Sequence, residues 1–581
     1  MDATPPPSRL GPSQRPLWTF HGGLHLPDEK ALSNGLLLAR ATLPPQLIIP
    51  LRQHIGAPAK PLVQVGDQVL KGQLIGEAQG AMSAHVHASS SGTVIAIEER
   101  PVPHASGLGA PAIVIDTDGA DTWAPLPPPL GLTPDPAALR ERIRWAGIVG
   151  LGGAAFPSSV KLTPAPDQGI RTLIPNGAEC EPYITCDDLV MRDRPERILQ
   201  GARLLRDLLA VEECLIAVED NKPEALDALL QARERMEDGA GIEIVRIPTL
   251  YPSGGEKQLI YLLTGREVPS GGIPAQIGIV CQNIATAAAI ADAALEGKPL
   301  ITRILTLTGR ALGQPRNLEV LLGTPFQALL DQAGGLTGPL ARLLIGGPMM
   351  GIACDDLTMP VTKAVNCLLA LTPTEAPDPG PALACIRCGA CAQACPANLL
   401  PQQLYWHARA RDLDKARAYH LFDCIECGCC ALVCPSHIPL VQYYRFAKTE
   451  SLARDREKRQ AEHARQRHEA REARLARLEE ERKAHLRRKK EALTAKPTAP
   501  APEDGPPRAA LAAEGHAEDP KKAAIAAALQ RAAEKKAALA QQGLTPKNVD
   551  NLAPAQQRQL EAAEARRREL KATAPAEEHQ P

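Results

Sequence analysis

Two cysteine runs constrain this chain more than any other feature. CIRCGACAQACP places Cys385, Cys388, Cys391 and Cys395 at x2-x2-x3 spacing before Pro396. CIECGCCALVCP repeats the pattern with Cys424, Cys427, Cys430 and Cys434 before Pro435. Three closely spaced thiolates wrap one face of a [4Fe–4S] cubane, and the fourth Cys of each run ligates the other cluster. The spacing therefore assigns Cys385, Cys388, Cys391 and Cys434 to one cubane, and Cys424, Cys427, Cys430 and Cys395 to a second. Cys429 reads as a non-ligand neighbour. Zinc also binds Cys-x2-Cys pairs, but eight cysteines in duplicate runs favour iron–sulfur. The intervening QQLYWHARARDLDKARAYHL reads as a helix–turn–helix packed around the clusters.

The rest of the composition fits a large chain in a reducing compartment. There are 581 residues, and nine of the 15 cysteines fall within Cys385–Cys434. Such clustering points to metal and away from disulfides. The net charge of -1 and the 3% aromatic content give no case for nucleic acid. The start, MDATPPPSRLGPSQRP, lacks the apolar run of a secretory signal. The longest apolar stretch, near Ile277–Leu295, carries Gln282, Asn283 and Asp292 and reads as a small-residue helix inside a domain. The expected protein is soluble or peripheral to a membrane.

Periodicity divides the chain into modules, a multidomain α/β plus β fold. Residues 1–17 read as a disordered leader. Residues 18–125 hold short Val/Ile/Gly runs such as LVQVGDQVL, expected as strands. PLVQVGDQVLKGQLIGEAQGAMSAHVHASSSGTVIAIE resembles a biotinyl/lipoyl-like barrel half. Its hairpin turn reads Ala81-Met82-Ser83-Ala84 and lacks a carrier Lys, so a structural or docking barrel is expected. His85 and His87 are read as packing. Residues 135–300 alternate strand-like and helical runs, a central α/β domain. Residues 301–370 resemble a β-grasp ligand-binding-like module, in which Gly346-Gly347-Pro348 is read first as a turn and second as a cofactor-facing loop. Residues 376–445 are the two-cluster, ferredoxin-like α-helical segment, with motifs at about 376–405 and 415–444. Residues 451–493 form a charged helix; within 454–491, fifteen Lys/Arg face nine Asp/Glu. Its second reading is contact with anionic lipid or an acidic partner. Residues 494–581 are low-complexity, with a possible helix around 520–541.

The α/β domain carries a second set of motifs. Gly150-Leu151-Gly152-Gly153-Ala154-Ala155-Phe156-Pro157 lets backbone N–H groups approach a phosphate or a flat ring. It lacks the features of a dinucleotide fingerprint or a Walker loop. Lys161 follows, a point charge for phosphate. Then come Asn176, Glu179 and Glu181 in NGAECEP, Tyr251, Glu256 and Lys257 in YPSGGEK, and later Asn283 and Thr286. Amide and carboxylate groups of this kind bond ribityl chains, ring edges and hydroxyls. Cys180 and Cys186 lack a His partner block, so packing is their expected role.

Together these blocks resemble the flavin subunit of respiratory complex I and its diaphorase relatives. The loop departs from that pattern at Leu151 and Ala155, and the acidic block at Ala178 before Glu179, positions that bear on nicotinamide contacts more than on FMN. The order of parts is more similar still to the C-subunit family of the Rnf (Rsx) ion-translocating oxidoreductases. FHGGLHLP, GLGGAAFP, NGAECEPYITCDD, YPSGGEKQLIYLLTGREVPSGGIP, GGPMMG and the cysteine runs carry this resemblance over about residues 18–450. The resemblance implies an FMN bound by Gly150, Gly152, Gly153, Ala154, Phe156, Lys161, Asn176, Glu179, Glu181, Tyr251, Glu256, Lys257, Asn283 and Thr286. It implies NADH as electron donor, two [4Fe–4S] clusters as relay, membrane subunits of an Rnf-type complex as partners, and ferredoxin at the far end. It also implies a peripheral position on the cytoplasmic side of a bacterial inner membrane, in a translocase coupled to H⁺ or Na⁺ movement. Two alternatives remain: a soluble diaphorase subunit of a hydrogenase or dehydrogenase, and a flavin-free iron–sulfur scaffold or redox-sensing adaptor.

Overall fold

Four short apolar runs build a parallel sheet at the centre of the chain. A computed structural model describes residues 8–9, 15–164, 169–237, 239–378, 380–494 and 530. The sheet strands are β1 (Thr172–Gly177), β2 (Glu213–Glu219), β3 (Glu243–Ile247) and β4 (Ile279–Asn283), in the order β3-β2-β1-β4. All three pairings are parallel. Alternate strand residues serve opposite faces, as period-2 geometry requires. Leu173, Cys214, Ile216, Ile244 and Val280 join one core with α1 (Pro136–Trp145), α4 (Pro195–Leu209), α5 (Pro223–Arg235) and α7 (Ile284–Glu296). Ile174, Leu215, Ala217, Val245 and Cys281 join the other with α6 (Glu256–Thr264). The expected α/β domain is thus doubly covered.

Leu17 corrects the expected leader. Residues 1–7 and 10–14 lie outside the described residues, but Leu17 is buried in the core beneath α6. Arg15 Nη2 donates to Glu213 at 2.9 Å and to Glu243 at 3.1 Å, which ties this segment to the sheet. The apolar stretch near Ile277–Leu295 is also not one helix. It is β4 followed by α7, divided at Asn283, whose side chain accepts from Ala285 N and Thr286 N as an N-cap.

Small all-β modules flank this domain. Gln46–Pro50, Gly109–Thr117, Gly92–Pro101 and Gln68–Val69 form a four-stranded sheet, and Lys60–Pro61, Leu74–Glu77 and Val86–His87 form a three-stranded one. Leu47, Ile49, Val69, Ile75, Val94 and Ile113 fill the space between them. His87 is buried against Trp145 in an edge-on contact, a packing role. Thr302–Thr308, Arg316–Leu321, Arg342–Ile345, Ile352–Ala353 and Cys367–Leu371 form a mixed sheet with α8 (Phe326–Gln332). Its edge is completed by Ala39–Arg40, a strand the sequence places with the barrel.

The cysteine segment holds α9 (Ala390–Gln393), α10 (Pro401–Arg409), α11 (Leu413–Ala418) and α12 (Cys429–Leu432). Leu404, Ala408, Ala416, Leu421 and Tyr444 make its small core, with the cysteines as part of it. α10 and α11 are the expected helix–turn–helix. The charged helix begins earlier than expected, as α13 (Leu440–Thr494). Its buried residues stop at Ser451, because only Leu440, Val441, Tyr444, Ala447 and Ser451 have a core to face. Beyond Arg471 the described residues 472–494 are helical and exposed. The possible helix at 520–541 and the low-complexity region of 494–581 lie outside the described residues, apart from Thr494 and Gln530.

Candidate flavin and iron–sulfur sites

In a parallel sheet with order β3-β2-β1-β4 the strand order, not the strand direction, reverses between β1 and β4, and ligands bind outside the carboxyl ends at such a point. Asn176 and Asn283 end these two strands and are register partners. The glycine loop closes over them. It is pinched at its base by Gly150 N donating to Phe156 O at 2.8 Å. Leu151 N donates to the Thr286 hydroxyl at 2.9 Å. Gly152 lies against the Asn283 side chain, where a Cβ would come within 3.4 Å. Gly152, Gly153 and Ala154 remain exposed at the tip, with Gly153 at a left-handed φ of 103°. Exposed N–H groups and a left-handed glycine give the concave backbone an anionic phosphate needs. This donor set fits FMN.

Lys161 and Glu256 meet beside the loop at 2.5 Å, both partly exposed. Asn176 Nδ2 donates to Gly254 O at 2.9 Å, so the β1 end and the Tyr251–Lys257 block share one wall. The two glutamates are held by backbone. Glu179 accepts from Asp187 N at 2.6 Å and Asp188 N at 3.2 Å, capping α3 (Cys186–Asp193). Glu181 accepts from Met349 N at 2.7 Å and Met350 N at 3.0 Å. The Gly346-Gly347-Pro348 turn therefore closes onto a site residue, and a Cβ on Gly347 would strike the Glu181 side chain. Burial pushes Glu179 up to about 8, opposed by Lys30, and raises Glu181.

Three buried cations that carry no sequence signal hold these loops. Lys30 Nζ donates to the carbonyls of Glu179, Glu181 and Ile184 at 2.9, 3.2 and 2.6 Å. Lys222 Nζ donates to Ala178 O at 2.7 Å and to Glu219 at 2.9 Å. Arg303 Nη2 donates to Leu151 O at 3.2 Å. Burial alone would lower Lys222, but Glu219 and Glu179 outweigh it and hold its pKa raised. Backbone strain also gathers here: Ala155, Glu179 and Tyr183 have φ of 47°, 51° and 69°. Ala155 is where the flavin-subunit pattern has Gly. Replacing Ala155 with Gly removes the left-handed penalty at an entropic cost, for a net gain of up to about 1 kcal/mol in thermal unfolding. A loss of stability instead would show that the buried Ala155 methyl outweighs the strain.

The cysteines separate into the two expected sets. Cys385, Cys388, Cys391 and Cys434 line one cavity of about 500 Å³, together with Ile386, Tyr405 and Trp406. Cys395, Cys424, Cys427 and Cys430 line a second, tighter cleft. Among the described residues, the one trio of ligand-type atoms mutually within 4.8 Å is Glu179, Cys186 and Asp187. That trio is engaged with backbone and with Asn283. No three sulfurs of the cysteine runs come so close. Four cysteines around a cavity of about 500 Å³ leave room for a multi-atom cage, more than a single zinc with Zn–S at ~2.3 Å needs. Cys429 is buried beside Cys427 and lines neither cavity.

The second cleft abuts the α/β domain. Tyr251 donates its hydroxyl proton to Cys427 O at 2.7 Å. Gln258 Nε2 donates to Pro396 O at 3.2 Å, and Lys257 meets Asp423 at 3.4 Å. A Cβ on Gly22 would lie 2.8 Å from the Ala394 backbone. The first cavity instead opens among exposed Ile386 and Cys388. Tyr251 and Lys257 thus face the cysteine segment, Glu179 and Glu181 hold the α3 and Met349 backbone, and Gly152, Asn176, Asn283 and Thr286 gather at the switch point.

Comparison with known proteins agrees with these parts. Residues 18–120 match the RnfC barrel sandwich hybrid domain, 143–292 the Nuo51 FMN-binding domain, 304–353 the SLBB domain and 384–438 the 4Fe-4S dicluster domain. The chain therefore carries the domains for FMN and for iron–sulfur clusters. It is 53% identical over 474 residues to the C-subunit of the ion-translocating oxidoreductase complex of Pseudomonas aeruginosa, covering 81% of this chain and 60% of that one. It is 46% identical over 480 residues to the same protein of Salmonella gallinarum, covering 82% and 70%. The match spans less than two thirds of the length of the Pseudomonas aeruginosa and Klebsiella pneumoniae relatives. A solved NAD+-reducing [NiFe]-hydrogenase is 18% identical with a TM-score of 0.40, covering 55% of this chain and 65% of that one, too distant to carry a fold. Among the described residues no helix is long and apolar enough to cross a membrane.

Proposed function

The chain belongs to the C-subunit family of the ion-translocating oxidoreductase complexes, and on that premise we propose that it is the electron-input subunit of such a complex. NADH is the donor, membrane subunits of an Rnf-type assembly receive the electrons, and ferredoxin lies at the far end of a path coupled to H⁺ or Na⁺ movement. The protein sits peripherally on the cytoplasmic face of a bacterial inner membrane. When bound, FMN exchanges two electrons with the nicotinamide and one at a time with cubanes that each carry one.

The chain's own residues position this chemistry. The loop amides of Gly152 and Gly153 receive the phosphate, and Lys161 adds charge beside them. Asn176 and Asn283, at the ends of β1 and β4, spend their side-chain amides on Gly254, Asp187 and the start of α7, and so fix the backbone walls of the site. The observation that carries the reading is the Tyr251 bridge from the flavin side to Cys427 O. It supports an entry cluster held by Cys395, Cys424, Cys427 and Cys430. The set Cys385, Cys388, Cys391 and Cys434, open to solvent, is then the exit. Burial of the entry cleft and exposure of the exit suit a relay that takes electrons internally and delivers them to a partner.

Anaerobic NADH titration and acid release of FMN test this. Lys161→Ala or Glu256→Gln should lower NADH-driven reduction by about tenfold to a hundredfold, the worth of a charge-assisted contact. Iron content should not change. A protein that releases no FMN and is not bleached by NADH overturns the reading.

A further inference from the structure

The two cysteine loops are near-copies in backbone. Arg387 and Glu426 occupy equivalent positions in Cys-Ile-x-Cys and share left-handed φ values of 58° and 59°. Gly389 and Gly428 match at 82° and 80°, and Asn398 and His437 at 56° and 50°. The copies differ in charge: the first loop carries an exposed arginine, the second a glutamate.

Glu426 sits close to its cluster position. Its backbone N–H donates to Cys424 Sγ at 3.4 Å, and it lines the second cleft. A carboxylate there repels the electron that a cubane must accept, since net charge and hydrogen bonding set cluster potentials. The first turns of α13 answer it. Lys448 Nζ donates to Glu426 Oε1 at 2.7 Å and to Cys424 O at 2.7 Å. Arg445 Nε donates to Glu426 Oε2 at 2.9 Å. These side chains are 17%, 34% and 25% exposed for Lys448, Arg445 and Glu426, so solvent screens them only in part. The neighbouring Asp423 is already paired with Lys257 and Ser270. Glu426 with its two cations leaves one net positive charge at the second loop, the same that Arg387 alone places at the first.

We propose that Lys448 and Arg445 set the reduction potential of the second cluster by offsetting Glu426, with Lys448, bonded to the Cys424 carbonyl, having the larger effect. The step is addition of one electron to the oxidised cluster, with no bond made or broken. This rests on Cys395, Cys424, Cys427 and Cys430 being the ligands of that cluster. α13 is then a tuning element at its start, whatever its later turns do.

The test is a potentiometric titration of the anaerobically reconstituted full chain, followed by electron paramagnetic resonance, with iron and sulfide counts. Lys448→Met should lower the reduced-to-oxidised ratio of one cluster about tenfold at a fixed ambient potential, about 59 mV for a one-electron couple. The other cluster should stay in place. Glu426→Gln should shift the same cluster upward, and Lys448→Arg should restore the native value. Retained iron with neither cluster shifted in Lys448→Met and Glu426→Gln overturns the proposal. If Lys448→Met sheds iron, Glu426→Gln decides: an upward shift supports the proposal and no shift overturns it. Failure of the unaltered chain to bind iron overturns the cluster reading itself, a separate outcome.

Discussion

Cys434→Ala and Cys388→Ala should destroy the same cubane, although one residue stands in each cysteine run. Both thiols line the open cavity with Cys385 and Cys391. Each variant should keep about four irons in place of about eight, and the surviving resonance should be the same in both. Cys395→Ala and Cys427→Ala should instead remove the partner cluster, whose cleft they share with Cys424 and Cys430. The functional consequence differs between pairs. Losing the entry cluster should stop NADH from reducing the remaining one. Losing the exit cluster should leave NADH-driven reduction of the entry cluster in place but stop transfer to an external one-electron acceptor. If Cys434→Ala removed the same cluster as Cys427→Ala, each run would hold its own cage, and the crossed ligation would be wrong.

The second large effect belongs to a buried cation that braces the site from behind. Lys222 and Glu219 are 1% and 0% exposed and lie 2.9 Å apart. Glu219 also accepts from the Ser253 hydroxyl at 2.6 Å, and Lys222 from its other side reaches Ala178 O. The pair joins the turn after β1 to the Tyr251–Ser253 loop. Lys222→Met leaves a buried carboxylate without its counter-charge, which costs about 3–5 kcal/mol. Denaturant unfolding followed in the α/β domain should show this loss, and FMN should be released more easily. Adding Glu219→Gln should recover a large part of the stability, because no charge then stays buried. A Lys222→Met protein within about 1 kcal/mol of the native one would contradict this account of how the site is held.

These residues show where sequence reading reaches its limit. The cysteine sets were legible because ligand spacing is local and chemically unambiguous. The α/β alternation was legible because β1, β2 and β3 are short apolar runs separated by helical ones; β4 was not, being read as part of a helix. Lys30, Lys222 and Arg303 were not. Most of their partners are backbone carbonyls far along the chain, and nothing beside a lysine in sequence marks it as buried. Glu179 and Glu181 were expected to contact the flavin, whereas their carboxylates grip the backbone amides of α3 and of the Met349 turn, contacts set by tertiary packing. Pro-rich composition suggested a leader through residue 17, yet Leu17 found a core under α6. The division at Asn283 was missed because alanine-rich helix and apolar strand look alike until a cap separates them.

The central claim is that eight thiolates hold two iron–sulfur cages fed by a flavin. Anaerobic purification or reconstitution of the full chain, with iron, sulfide and acid-released flavin counted per chain, tests it most directly. The account predicts about eight irons, about eight labile sulfides and one FMN. Zinc in place of iron, or about four irons with no flavin, would contradict it.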